Sequence, residues 1–409
     1  MHYTYKKKIL LKSIQKQQRR LLRIATSSLY NILLPFINVI ISLLVVRLTS
    51  VSLWGHFVAI MLWVQLGAMV VGWGNKEYLL RAFSQRPSAL AALWQSSLLT
   101  RSALLPPVAL ALVFILLVGE RADGLLAGLA CLWLGALFWQ QSFDVLIVYR
   151  RAFVWATAVE ATVTAGMVAF LFGRGNRLTV HELAGLFTAA ALCKGLAMAL
   201  RFRRDITGKG ASTGSRFQAR FWREAFIFFL LGFSGMLHSR IDLYSINVLL
   251  SPQYVGIYQV YSNLLLYLQS VTVFILTPFI PTMLRLNSTI VRKISQKLFF
   301  MAIIGIVPMM IIINIILSFL YHIVLEPIFF VLGGLSVLPI YYYLPVIYTF
   351  YKNNRQLIVF YVNVIGIIIN FLLNIALLSK IGLIGAIINK VLINWMILLF
   401  YYRQQRLAG

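Results

Sequence analysis

The feature that most constrains this chain is a series of about twelve long apolar stretches separated by short polar segments. A helix needs about 20 apolar residues to cross the hydrocarbon layer of a membrane, and each stretch is near that length. A transmembrane barrel would need alternating strands of about ten residues, so helices are the predicted spanning elements. The stretches lie near residues 24–46, 54–74, 101–119, 124–148, 152–173, 179–200, 224–250, 256–284, 298–320, 324–350, 357–379 and 382–402.

The distribution of Lys and Arg between these stretches predicts how the chain is oriented. With the amino terminus inside, 29 of the 37 Lys and Arg residues fall on the inner side, and five fall on the outer side. Such an excess of inner basic residues is typical of polytopic membrane proteins. It accounts for the net charge of +27 without a nucleic-acid partner, and it predicts that both termini are cytoplasmic.

The longest basic linker falls in the middle of the chain and is rich in Gly and Ser, which predicts a flexible connection between two halves. Residues 48–57 (LTSVSLWGHF) and 249–258 (LLSPQYVGIY) are similar, and each segment joins the first two spans of its half. We therefore predict an all-α polytopic membrane protein built from two six-helix bundles in parallel orientation. The predicted parts are a basic cytoplasmic arm (1–23), an N-terminal bundle (24–200), a cytoplasmic linker (201–223) and a C-terminal bundle (224–409).

Ionisable residues inside the spans are the candidates for function, because each costs about 2.5–3.5 kcal/mol to insert at the centre of a membrane helix. Arg240 on the seventh span and Lys390 on the twelfth are too deep to reach either surface, and we expect them to line a polar cavity. Asp242 and Glu160 are further ionisable residues within the spans, and His238 lies one turn from Asp242, an arrangement that suits proton coupling. The alternative is a buried structural pair that joins Arg240 to Asp242 or Glu160.

Polar side chains also recur at helical spacing. Arg240, Tyr244 and Asn247 share one face of the seventh span, and similar stripes occur on the first, eighth and eleventh spans. Hydrogen bonds between neighbouring helices, worth about 1 kcal/mol or less each, would explain any single stripe. Several stripes together favour a shared hydrated interior. The predicted lining is Arg240, Lys390, Asn31, Asn38, Tyr244, Asn247, Gln259, Asn263, Asn363, Asn370 and Asn374.

Motifs of enzymes and ATP-driven pumps do not occur in this sequence. It holds no phosphate-binding P-loop, no H-E-x-x-H and no G-x-S-x-G motif. Cys131 and Cys193 both fall inside predicted spans and imply neither a disulfide nor a metal site. We therefore expect a transporter rather than an enzyme, with no cofactor.

Short motifs at the two similar segments 48–57 and 249–258, which we call the echo segments, resemble those of a known family. Residues 47–48 (RL) precede 54–57 (WGHF), and 240–242 (RID) lead to 251–258 (SPQYVGIY). The stretch 277–281 (TPFIP) closes the eighth span. In this combination the chain resembles the polysaccharide flippases of the multidrug/oligosaccharidyl-lipid/polysaccharide exporter superfamily.

The resemblance implies alternating access in the bacterial inner membrane, driven by an ion gradient through Asp242, His238 or Glu160. It implies as cargo an undecaprenyl diphosphate that carries an oligosaccharide repeat unit, such as that of O-antigen in lipopolysaccharide biosynthesis. Arg240 and Lys390 would attract the anionic diphosphate strongly at low dielectric. The expected partners are this lipid-linked oligosaccharide, membrane lipids, a polysaccharide polymerase and a chain-length regulator, and the chain is expected to be monomeric.

Two other functions stay open at this point. A drug/cation antiporter of the same superfamily should carry acidic residues in its cavity, whereas the deep charges of this chain are mainly basic. A membrane polysaccharide polymerase or lipid-dependent glycosyltransferase would need a large outer loop or outward-facing carboxylates. The outer loops here are short, and their acidic residues are scattered.

Overall fold

The computed structural model describes residues 26, 30, 33, 36–207, 219–276, 279, 283, 285–353 and 355–407. All regular elements in these ranges are helical. Eleven helices are long and apolar enough to cross a membrane, and a shorter apolar helix lies in the predicted first span. The prediction of an all-α polytopic membrane protein with about twelve spans is therefore confirmed. The predicted arm (1–23) and the centre of the predicted linker (208–218) lie outside the described residues.

The helices are numbered in chain order. They are α1 Phe36–Leu48, α2 Val51–Gly72, α3 Asn75–Gln85, α4 Leu90–Ser102, α5 Leu105–Phe114, α6 Gly124–Gln141, α7 Asp144–Arg150, α8 Phe153–Arg174, α9 Val180–Arg201, α10 Arg203–Ile206, α11 Ala219–Leu249, α12 Pro252–Leu276, α13 Ser288–Ile315, α14 Pro327–Lys352, α15 Gln356–Ile381 and α16 Leu383–Leu407. A π-helical turn extends α5 over Ile115–Gly119, and another extends α13 over Ile316–Leu320.

Several helices begin at residues whose side chains cap the free backbone N–H groups of the first turn. Ser50 caps α2 and Asp123 caps α6, each by accepting a hydrogen bond from a backbone N–H three residues later. Thr179 and Glu182 form a reciprocal capping box at the start of α9. These local signals explain why these three connections between spans are short and sharply bounded.

Helix α2 ends where Trp73 and Gly74 adopt left-handed backbone conformations, with φ of 43° and 66°. The chain then turns into α3, within a segment whose polarity predicts an interfacial helix. Leu79 and Phe83 of α3 are buried, while most of its polar residues are exposed. Helix α3 is therefore amphipathic, as expected for that segment.

The long helices pack as two groups. In the first half (α1–α9), α6 packs against α9, α2 and α5. In the second half (α11–α16), α14 packs against α13 and α16, and α15 packs against α11 and α16. The broadest contact between the halves joins α2 to α12. This grouping agrees with the expected pair of bundles, whose boundaries at 200 and 224 stay a prediction.

Apolar side chains cover the outside of both halves. Ile304 and Phe319 are 77% and 75% exposed, respectively. Contiguous apolar surface of this kind is unfavourable in water and suits contact with lipid. The polar residues that need an explanation are therefore those inside the molecule.

Candidate functional site

The most deeply placed ion pair joins α11 to α16. Lys390 Nζ lies 2.9 Å from Asp242 Oδ2, and the two side chains are only 11% and 4% exposed. The hydroxyl of Tyr258, on α12, donates a hydrogen bond to the same carboxylate oxygen, and the backbone N–H of Leu243 donates to the other at 3.0 Å. Three helices of the second half therefore position one carboxylate and satisfy both of its oxygens.

A cavity of about 160 Å³ opens beside this pair, inside the second half. Its polar lining is His238, Ser239, Asp242, Gln269, Tyr343, Asn370, Lys390 and Asn394. A cavity of this size holds several waters and is too small for an oligosaccharide. It suits an ion, a proton carrier or water.

Asparagines next to this cavity form a connected amide network. Asn374 Nδ2 donates to Asn370 Oδ1 at 2.7 Å, and Asn389 Nδ2 donates to the Asn370 carbonyl oxygen, also at 2.7 Å. Asn370, Asn374 and Asn389 are all buried. The network positions oxygen atoms near the Asp242–Lys390 pair.

The predicted stripe on α11 faces away from this cavity and contacts the first half. The Tyr244 hydroxyl donates to the carbonyl oxygen of Leu62 at 2.8 Å, and Asn247 Nδ2 donates to Glu120 Oε1. Arg240, on the same face, donates from Nη1 to Asn263 Oδ1 at 2.9 Å. The regular step of the helix therefore directs Arg240 toward the contact between the halves, whereas Asp242 points into the second half.

The alternative interpretation, a structural pair of Arg240 with Asp242 or Glu160, is not the pairing seen among the described residues. Asp242 is paired with Lys390, and Glu160 is paired with Lys194, whose Nζ lies 2.6 Å from Glu160 Oε2 in the first half. Arg240 has no carboxylate partner among the residues that the structure describes. It is a largely enclosed cation whose charge is not neutralised by another side chain in the described chain.

The structure divides the predicted lining into separate sets. Lys390, Asn370, His238 and Asp242 border the cavity of the second half, whereas Arg240 lies on the opposite face of α11. Among the described residues, the cavity that Lys390 borders does not include Arg240 in its lining.

The remaining predicted residues have other environments. Gln259 is buried and accepts a hydrogen bond from Trp54 Nε1 at 2.8 Å, across the contact between the halves. Asn363 is half-buried and Asn38 is exposed. Asn31 lies outside the described residues. Glu160 belongs to the first half and is remote in the fold from Asp242, so the candidate coupling groups do not form one cluster.

The two echo segments cross each other where α2 and α12 begin. A Cβ atom added to Gly55 would lie 1.8 Å from the carbonyl oxygen of Pro252, and one added to Gly256 would lie 2.4 Å from that of Val51. Only glycine allows backbones this close. The repeated glycine thus has a structural cause, because the corresponding helices of the two halves meet there.

Further contacts join the halves at this end, which the charge distribution predicts to be outside and which we call the outer end. Glu120 Oε1 accepts hydrogen bonds from Trp63 Nε1, at 2.7 Å, and from Asn247. Arg47 donates to the carbonyl oxygens of Phe319 and Leu320. Sequence reasoning missed Glu120, since nothing in a short loop marks one carboxylate as a bridge between halves.

The halves also touch at the opposite, inner end. The Trp73 ring stacks on Phe229 with centroids 4.3 Å apart, and Trp73 Nε1 donates to the carbonyl oxygen of Trp222 at 3.2 Å. The Tyr78 hydroxyl donates to Glu224 at 3.1 Å. The two halves are therefore in contact at both ends of the molecule.

Arg101 is another buried cation, and the sequence patterns did not identify it as a candidate residue. The charge count assigns it to an inner segment, but its side chain is only 2% exposed within α4. Its guanidinium donates to Ser142 Oγ at 2.9 Å and lies 5.0 Å from the centre of the Phe138 ring. Within the described ranges, no cluster of three or more His, Cys, Asp or Glu side chains could hold a metal ion.

No protein-family model matches this sequence, and no curated protein sequence matches it. Solved structures do match the fold. One is the lipid II flippase MurJ in an inward closed conformation, with a TM-score of 0.68 and 14% identity over 93% of this chain and 87% of that chain. Another is the eukaryotic MATE transporter AtDTX14, with a TM-score of 0.54 and 14% identity over 94% of this chain and 95% of that chain. The chain thus shares its polytopic helical fold with a flippase and with a MATE transporter.

Proposed function

We propose that this protein is a flippase that moves an undecaprenyl-diphosphate-linked oligosaccharide across the bacterial inner membrane by alternating access. The observation that carries the proposal is Arg240, a largely enclosed guanidinium that donates to Asn263 on α12 and has no carboxylate partner among the described residues. A diphosphate would neutralise this charge with bidentate hydrogen bonds. The shared fold with a lipid II flippase supports a cargo of this class.

The Asp242–Lys390 pair is proposed to couple transport to an ion gradient, in place of the cargo-binding role first expected for Lys390. The pair borders a small polar cavity that also contains His238. A proton or a cation that neutralised Asp242 would release Lys390, and α11 would transmit the change to Arg240, two residues away on its other face. Binding of ion and cargo would then be linked through a single helix.

We also propose a domain division, a membrane orientation and a set of partners for this flippase. The residues 24–200 and 224–409 form two bundles joined by the linker 201–223, and both termini are cytoplasmic. The protein acts as a monomer beside a polysaccharide polymerase and a chain-length regulator, as an O-antigen type pathway requires. The 29 to 5 division of basic residues supports this orientation.

Replacing Arg240 with alanine is expected to lower the initial rate of flipping at least tenfold, because the diphosphate loses its buried cation. The measurement uses purified protein in liposomes with a fluorescent polyprenyl-diphosphate oligosaccharide, whose outer-leaflet fraction is followed over time. Arg240→Lys keeps the charge and should retain intermediate activity. Arg355→Ala, at an exposed position between α14 and α15, is the matched control and should behave as wild type.

Two results would overturn this function. Equal flipping rates with wild type, with Arg240→Ala and with empty liposomes would show that the protein does not transport a lipid-linked oligosaccharide. Export of cationic dyes by the same liposomes, without any flipping, would favour the drug/cation antiporter, which the shared fold with a MATE transporter keeps as the second candidate.

A further inference from the structure

A large polar cavity lies at the inner end of the molecule, away from Arg240 and from the Asp242–Lys390 pair. Its volume is about 770 Å³, and it opens between α3 of the first half and the beginning of α11 of the second half. Its polar lining is Tyr78, Arg81, Gln85, Arg86, Arg220 and Glu224. The cavity is therefore built by both halves together.

The lining carries an excess of positive charge. Arg220 forms an ion pair with Glu224, and Glu224 also accepts the hydrogen bond from Tyr78. Arg81 and Arg86 form no ion pair with any described residue. Three guanidinium groups and one carboxylate thus leave two positive charges without a partner in the described chain.

The aromatic residues beside the cavity indicate its depth in the membrane. The rings of Trp73 and Trp222 contact each other with centroids 5.1 Å apart. Both residues lie close in the chain to residues that line the cavity. Tryptophan is enriched where lipid headgroups begin. The adjoining arginines therefore lie at the level of the headgroups, where phosphate is the abundant anion.

The shape of the cavity also fits a phosphate-bearing headgroup. Arginine binds phosphate through two parallel hydrogen bonds, and Arg81 and Arg86 are both free to do so from α3. A volume of about 770 Å³ exceeds that of a single phosphate many times over, so a diphosphate or a glycerophosphate headgroup can enter. The side-chain amide of Gln85 offers a further hydrogen-bond donor.

We propose that this cavity between α3 and α11 binds the phosphate group of a membrane lipid through Arg81 and Arg86. A bound phosphate that also reaches Arg220 connects the two halves at the inner end and stabilises their contact there. The proposal does not depend on the flippase function, because the headgroup of an anionic phospholipid satisfies the same chemistry as a lipid-linked diphosphate.

The test measures binding to the full-length protein in nanodiscs of neutral phosphatidylcholine by titration calorimetry. Three probes distinguish the source of the phosphate: inorganic diphosphate, a short-chain phosphatidylglycerol and a short-chain polyprenyl diphosphate. The double variant R81Q/R86Q removes both free guanidinium groups. The matched control is R201Q/R203Q, which removes two exposed arginines that do not line the cavity.

For at least one probe, we expect R81Q/R86Q to weaken binding tenfold or more and the control to bind as wild type does. R81K/R86K should bind with intermediate affinity, because it keeps the charge but loses the bidentate geometry. Tight binding of diphosphate alone, with neither lipid bound, would indicate a free-phosphate site and would overturn the assignment to a membrane lipid. Preference for phosphatidylglycerol would indicate a phospholipid site, and preference for the polyprenyl probe a loading site for cargo. Equal affinities of R81Q/R86Q and R201Q/R203Q for all three probes would overturn the proposal.

Discussion

Replacing Lys390 with methionine is expected to destabilise the folded protein by about 3–5 kcal/mol, because Asp242 is left as an uncompensated buried charge. The carboxylate would keep its hydrogen bonds from Tyr258 and from the Leu243 N–H but lose the only cation that contacts it among the described residues. The yield of monodisperse protein in detergent and its midpoint of thermal unfolding should both fall. An unchanged midpoint would show that Asp242 does not carry a charge in the folded state.

The double variant K390M/D242N separates stability from coupling. Removing both charges should restore most of the lost stability, because an uncharged pair of similar volume costs little to bury. If this pair is the coupling site, the double variant should show no transport driven by an ion gradient. The matched control is K194M/E160Q, which removes the largely buried ion pair of the first half. If K194M/E160Q uncouples transport and K390M/D242N does not, then Glu160 is the coupling group.

Gly55→Ala should separate the two halves at the outer end and reduce transport at least tenfold. The added Cβ would lie 1.8 Å from the Pro252 carbonyl oxygen and 2.7 Å from its carbon. These are backbone atoms and cannot rotate away, so α2 and α12 must move apart. Gly256→Ala should act in the same direction, because its Cβ would meet the Val51 carbonyl oxygen at 2.4 Å.

Opening of the outer end can be measured with a cysteine at Gln259, after Cys131 and Cys193 are replaced with alanine. Gln259 is buried at the contact between α2 and α12, beside Trp54. Labelling by a membrane-impermeant maleimide added from outside should be several times faster in Gly55→Ala. Gly128→Ala is the control, because its Cβ would have no atom within 4 Å. Equal labelling of the two variants would show that the glycine crossing does not seal this end.

The sequence predicted which side chains share one face of a helix, but it did not predict which side chains contact each other between helices. The common face of Arg240, Tyr244 and Asn247 follows from the turn of 3.6 residues, and all three side chains make polar contacts. The partner of Asp242 is 148 residues away in the chain, and no local pattern connects the two. Arg240 is the nearest basic residue to Asp242 in the chain, but a separation of two residues places it on the other side of the helix.

The echo segments show how far a sequence signal extends. Their similarity predicted two related halves, but it did not predict that the repeated glycines would touch each other. Glu120 is a comparable case, because its role depends on Trp63 and Asn247 approaching from different halves. Contacts of this kind between the halves can be identified only from the tertiary structure.

By itself, the sequence determined the class of the protein, the number of its spans and the predicted orientation, because membrane insertion depends on local hydrophobicity and on nearby charge. Tertiary structure alone decided which buried charges are neutralised, which helix faces line the small cavity and where the halves meet. Those features depend on contacts between residues far apart in the chain, and the energy of a buried charge is set by the neighbours that packing places around it.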